Sequence, residues 1–308
     1  MEKKMQTDYA PLVIFVYNRA ELAKKMLEAI NNNQLAYQTE VFIFSDGPKG
    51  KKDIREVELV RECIHSFKKK NNFKAVTIYE AEENRGLANS IIAGVSKIIK
   101  TYGRVIVLED DLLTASNFLN FMNECLEYYE KNERIWSIGG TTYRLNALKK
   151  YPHDVYACYR GESCGWATWI DRWELVDWNV SDFEELMRSW KKRRHFKRGG
   201  QDMVNTLKMQ MDGKTDSWAI RWCYQESKNN MITILPVKSL VKNIGWGETG
   251  TNTHDDVDLF RTEIEGENYN YTLENVDINK SIMRDFRKYF YKPFIQRILD
   301  WLYLKLKG

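Results

Sequence analysis

The five cysteines, Cys63, Cys125, Cys158, Cys164 and Cys223, are scattered and odd in number, and no C-x-x-C pair occurs. That pattern excludes a zinc ribbon and a disulfide framework, and it fits a reducing compartment. Long apolar runs are also missing, since nothing approaches the ~18–20 apolar residues of a spanning helix. The opening MEKKMQTDY leads straight into a strand-length run without the apolar stretch of a signal peptide. The expectation is a cytoplasmic protein, free or peripheral on the cytoplasmic membrane face. Charge of one sign is lacking too: 47 basic residues against 43 acidic ones leave a net charge of +4, which does not favour nucleic acid as a partner. Neither G-x-G-x-x-G nor a P-loop is found, so dinucleotide-binding and P-loop phosphate sites are excluded. No internal repeat is visible.

What is present is an ordinary globular composition, 43% hydrophobic and 29% charged over 308 residues, enough for one large or two small domains. The first third alternates in period. PLVIFVYN (11–18), EVFIFSDG (40–47), AVTIYEAEEN (75–84) and RVIVLEDD (104–111) read as strands. Between them, 19–33, 53–70 and 86–103 carry apolar residues at helical spacing, as with Ile91, Val95, Ile98 and Ile99. Strand and helix in alternation imply right-handed crossovers and a mostly parallel, doubly wound α/β sheet.

Each strand ends in polar residues: Asn18 and Arg19, Ser45 and Asp46, Asn84 and Arg85, then Glu109, Asp110 and Asp111. In open α/β sheets, ligands sit beyond the carboxyl ends of the strands. Arginine reads phosphate oxygens bidentately, and an aspartate there can accept hydrogen bonds from a base or a ribose. The acidic triplet admits two readings. One is a solvated turn with a helix cap, a task Ser116 can also fill. The other is a hard divalent cation shared with a phosphate-bearing ligand, which relieves the mutual repulsion of three adjacent carboxylates.

The middle of the chain changes character. ESCGWATWIDRWELVDW (162–178) holds four tryptophans, either a core wall or a platform for sugar rings; Gly165 before Trp166 would let backbone approach a ligand. KKRRHFKR (191–198) is a basic run that is either solvated or turned to anionic lipid or phosphate. Asp202 and Asp216 lie in GGQDMVNTLKMQMDGKTDSWAIRW (199–222), and the segment 234–254 ends in a glycine-rich loop that carries His254. Residues 279–307 read as basic amphipathic helix, which either lies in a membrane interface or docks on the protein's own core or a second subunit.

In order along residues 10–255, VIFVYNR, FSDG, ENRGLANS, LEDDL, GWATWIDRW, DSWAIRW and PVKSLVKNIGWGETGTNTH resemble the elements of GT-A fold nucleotide-sugar glycosyltransferases. The likeness is to bacterial family-2-type enzymes and, more distantly, to N-acetylglucosaminyltransferase I. It implies a GT-A, Rossmann-like sheet flanked by helices, with a C-terminal helical tail. The nucleotide-sugar-binding half would span 9–111, the acceptor-binding half 112–258 and the extension 259–308. Carried over, Arg19 would touch the diphosphate, Asp46 the base and Asp110 the ribose, with Asn84 and Arg85 in the loop over the donor. Asp111 and His254 would hold Mn²⁺ or Mg²⁺. Gly165, Trp166 and Trp218 would line the acceptor side. The catalytic base would be Asp216, ahead of Asp202; in the N-acetylglucosaminyltransferase I pattern the carboxylate directly precedes tryptophan, and here Ser217 stands at that place. The implied activity is metal-dependent, inverting transfer of a hexose or N-acetylhexosamine from a nucleotide sugar, with UDP as the nucleotide, to a glycan acceptor. A lipid-linked acceptor in bacterial surface polysaccharide or lipooligosaccharide synthesis would suit a tail on the membrane. The alternatives are a sugar nucleotidyltransferase, although the glycine- and lysine-rich first loop is missing, or a sugar-binding protein with a decayed site.

Overall fold

The computed structural model describes residues 9–245 and 262–290. The four apolar runs become strands β1 (Leu12–Val16), β2 (Glu40–Ser45), β3 (Ala75–Glu80) and β4 (Arg104–Glu109). They are joined by helices α1 (Ala20–Asn31), α2 (Ile54–Lys69) and α3 (Leu87–Tyr102). All pair in parallel, with Leu12 of β1 between Val41 and Ile106. β1 is buried along its whole length because both of its faces are covered. Leu12, Ile14 and Val16 join Ile106 and Leu108 beneath Met26, Ile30 and Val60 of α1 and α2. Val13 and Phe15 join Val105 and Val107 beneath Ile91, Val95 and Ile98 of α3. Period-two alternation thus divides each strand between two cores.

The chain continues as β5 (Leu112–Thr114), α4 (Phe118–Tyr129), β6 (Ile135–Gly139), β7 (Val155–Cys158) and β8 (Trp166–Trp169). Then come α5 (Ile170–Trp173), α6 (Phe183–Arg188), α7 (Trp190–Phe196), α8 (Met203–Met211) and α9 (Trp218–Lys228). β9 (Ile232–Pro236), β10 (Val241–Asn243) and α10 (Lys280–Tyr289) complete the elements. Eight strands form one sheet in the order β3-β2-β1-β4-β8-β6-β9-β7. β8 runs against β4 and β6, and β7 runs against β9, so the sheet is mixed but mostly parallel, as expected. β5 and β10 form a separate antiparallel ribbon beside the end of β4. The chain steps outward from β1 through β2 to β3, then returns to place β4 on the other side of β1. That reversal opens a crevice beyond the ends of β1 and β4, where such sheets hold ligands.

The C-terminal segment docks on the protein's own core over its described part. Ile282, Met283, Phe286 and Phe290 are buried against Leu145, Tyr156, Cys158 and Leu235. Asn279 caps α10 by accepting from the amides of Ser281 and Ile282. The apolar stripe is therefore occupied from 282 to 290 by the protein's own core, one of the readings the sequence left open; the remainder of the tail lies outside the described residues. Among the described residues no helix is long and apolar enough to cross a membrane.

Candidate functional site

At the β1–β4 crevice, Arg19 and the acidic triplet meet. The Arg19 guanidinium donates to Asp110 and lies 3.0 Å from the Asp111 carboxylate. Asp110 is 4% exposed; burial pushes its carboxyl up to about 6, with Arg19 pulling the other way and Asp111 adding to the rise. Glu109 is pushed up to about 8, first by desolvation and then by Asp111 and Asp110. The guanidinium thus contacts two of the three carboxylates, and burial first, with the neighbouring carboxylates adding to it, raises the proton affinity of Glu109 and Asp110. Gly245 touches the same group: a Cβ there would fall 2.1 Å from Asp111 Oδ2. Glycine is required so that the chain can pass over the carboxylate. His254 lies outside the described residues.

A second group forms beyond β2 and β3. Asp46, 8% exposed, accepts from the backbone amides of Gly47, Arg85 and Gly86 at 2.9, 2.9 and 3.1 Å, and from Asn84 Nδ2 at 3.2 Å. It holds the 84–86 loop against the sheet edge, a task its spacing in the sequence did not reveal. The Arg85 side chain is exposed at the rim. Asp216 reaches the same loop from the start of α9, accepting from the Ala88 amide at 3.3 Å in the first turn of α3. A carboxylate suits that position because the helix N-terminus leaves unpaired amides and a partial positive charge.

Asp202 stands elsewhere. Both its oxygens pair with the Arg160 guanidinium, at 3.0 and 2.9 Å, and Arg160 in turn stacks 3.8 Å from the centre of the Phe290 ring. The pair ties the start of α8 to the β7–β8 connection and the end of α10. Gly165, Trp166 and Trp218 do not line a site, which corrects the expectation for them. Trp166 is fully buried and Trp218 is 2% exposed, within a cluster that includes Trp136, Trp173 and Trp222. Trp166 and Trp218 lie 4.9 Å apart, ring centre to ring centre, so no face is left for a sugar. Gly165 has φ +71°, and a Cβ there would lie 2.8 Å from Val241 Cγ2, so packing and backbone geometry demand the glycine. The basic run is also partly structural, since His195 bonds the Ser227 carbonyl and Arg198 stacks on Tyr159.

A cavity of about 190 Å³ lies beside these groups. Tyr143, Arg160, Glu162, Ser217, Asn243 and Phe290 are among its lining residues. Glu162, Arg160, Tyr143 and Asn243 were not picked out from the sequence. Glu162 sits inside the quoted ESCGW stretch, where the tryptophans drew the eye and the glutamate carried no distinguishing spacing.

Among the described residues no three His, Cys, Asp or Glu side chains converge as a preformed metal cage. The surplus charge of the triplet fits another mode, in which an Mg²⁺-like ion is bound by one or two carboxylates together with substrate phosphates. Asp111, whose side chain keeps 14% exposure, is a residue that could hold such an ion.

No family model and no curated protein matches the sequence. Among solved structures, the chain is similar to the mannosyltransferase PcManGT from Pyrobaculum calidifontis, solved in complex with GDP-Man and Mn²⁺. The identity is 16%, the TM-score 0.36, and the match covers 53% of this chain and 46% of that one. It is also similar to TarS of S. aureus, with 10% identity, a TM-score of 0.40, and coverage of 75% of this chain and 36% of that one. The chain thus spans less than half the length of either.

Proposed function

We propose that the protein is a metal-dependent, inverting glycosyltransferase that moves a sugar from a nucleoside-diphosphate donor, with UDP as the nucleotide, to a hydroxyl of a glycan acceptor. The observation that carries this reading is the surplus of carboxylates over cations at the β1–β4 crevice, with Arg19 set among them. Folding alone gives no reason to crowd Glu109, Asp110 and Asp111 there and leave two of them with raised proton affinity.

In this reading Arg19 fixes the Asp110 and Asp111 carboxylates and presents its remaining N–H donors to an incoming phosphate. Asp46 holds the loop that carries Asn84 and Arg85 at the donor side, and the edge it shares with them is where a base would sit. Asp111 would hold Mn²⁺ or Mg²⁺, and the ion would supply Lewis-acid stabilisation of the departing diphosphate. Asp216 takes the proton from the acceptor hydroxyl as its oxygen bonds to the anomeric carbon. The bond from that carbon to the donor phosphate breaks, and its electron pair leaves with the nucleoside diphosphate. Asp216 is preferred to Asp202 because Arg160 already engages both Asp202 oxygens, whereas Asp216 Oδ2 accepts one long bond from an amide.

Calorimetric titration with UDP, with and without Mn²⁺, tests the proposal. Binding is expected to depend on the ion, and Asp111→Asn is expected to remove that dependence and to lower turnover by about 100-fold or more. UDP binding that ignores both the ion and the Asp111 substitution would sink the reading.

A further inference from the structure

The residues that line the cavity include Ser217, the neighbour of Asp216, and Asn243. Asn243 is the cross-strand partner of Leu112, which follows Asp111 in the chain. A ligand in it therefore touches residues that adjoin both the proposed base and the proposed donor site. Its size, about 190 Å³, suits one sugar ring rather than an oligosaccharide. The walls mix hydroxyl and carboxylate groups with the Phe290 ring and Ile220, as a pyranose with polar edges and C–H faces requires.

The charges on these walls are unequal. Arg160 is matched by Asp202 through two hydrogen bonds. Glu162 has neutral partners only among its hydrogen bonds: the amides of Ser163 and Cys164 at 2.9 and 3.2 Å, and the Tyr143 hydroxyl at 2.9 Å. Among the described lining residues no lysine and no second arginine offsets it. Cys164, on the same walls, also feels the Asp111 and Glu109 carboxylates, so the triplet adds negative charge near the cavity. A carboxylate or phosphate on the incoming sugar meets like charge here, whereas a hydroxyl or an ammonium donates to Glu162.

We propose that this cavity is the subsite for the terminal acceptor residue, and that it takes a single non-anionic pyranose whose hydroxyl or amine donates to Glu162. The proposal rests on the transferase reading for its place in the reaction, but not for its chemistry. The test is saturation-transfer NMR and calorimetry on the full chain with methyl glucoside, methyl galactoside and methyl N-acetylglucosaminide, against methyl glucuronide. At least one neutral probe should bind, with the glucuronide weaker by about tenfold or more. Glu162→Gln should close that gap to about threefold or less. Thr206→Phe, which fills the cavity from α8, should remove probe binding, while both variants keep the UDP and Mn²⁺ titration of the native protein. Glucuronide bound as tightly as the neutral probes, or probe binding untouched by Thr206→Phe, overturns the proposal. Nucleotide binding with no sugar binding leaves the donor reading standing and removes this subsite. Sugar binding without nucleotide binding keeps the subsite and defeats the transferase.

Discussion

Three carboxylates carry different duties that their residue type alone does not separate. Asp216 faces the α3 N-terminus, Asp202 is half of an ion pair, and Glu226 is fully buried with Thr233 donating to it at 3.0 Å. Asp216→Asn is expected to cut turnover by about 100-fold or more while UDP affinity stays unchanged. Asp202→Asn should act on stability instead, costing about 2 kcal/mol as Arg160 loses its charged partner. Steady-state kinetics and thermal melts on the two variants separate the roles; equal kinetic losses would place both at the chemistry. Glu226 adds a pH signature. Desolvation lifts its carboxyl from an ordinary 4.5 to about 8, so between those values the folded protein keeps a proton that the unfolded chain has lost. Its contribution to stability is therefore fully present below pH 4.5 and falls as pH rises to 8. Glu226→Gln should flatten that part of the profile, and a denaturation series from pH 5 to 8.5 reads the difference.

At the scale of elements, β1, β2, β4 and α1 to α3 were legible because those strands are covered on both faces and each helix on one, while the edge strand β3, half-buried at best, was read from its place in the alternation. Burial of that kind writes itself into the sequence as unbroken apolar runs and helical stripes. The ends were less legible. EVFIFSDG reads as strand through 47, yet β2 ends at Ser45, because the Asp46 side chain turns to hold three backbone amides and an asparagine. The ribbon of β5 and β10 escaped notice, being three residues a side and formed across more than a hundred residues of chain. α10 shows the same limit: an amphipathic stripe records that something apolar covers it but not what. Phe286, fully buried against Leu235 and Tyr156, provides the check. Phe286→Ala should cost about 3–5 kcal/mol. A chemical-denaturation midpoint unchanged by that substitution would mean that the helix does not dock in solution.

The whole molecule joins its two halves through one sheet, with β4 beside β8 and the crevice at the point where strand order reverses. A ligand in that crevice binds the folded state alone, so UDP with Mn²⁺ at 100 times its dissociation constant should add about 2.7 kcal/mol to stability. The melting temperature should rise in the native protein and stay put in Asp111→Asn. A rise of the same size in both would separate nucleotide binding from the triplet.

The sequence by itself determined the alternating α/β order, the two-sided burial of β1, β2 and β4 and the polar residues at the strand ends, because local periodicity and burial leave a trace in consecutive residues. It also brought Arg19, Asp110 and Asp111 under one suspicion, and the fold does place them in contact. The tertiary structure alone decided that Trp166 and Trp218 are core, that Asp202 belongs to Arg160, and that Glu162 faces a cavity. Those outcomes depend on which side chains meet across distant segments. A tryptophan or a carboxylate looks the same in sequence whether its neighbour in space is solvent, an arginine or another ring.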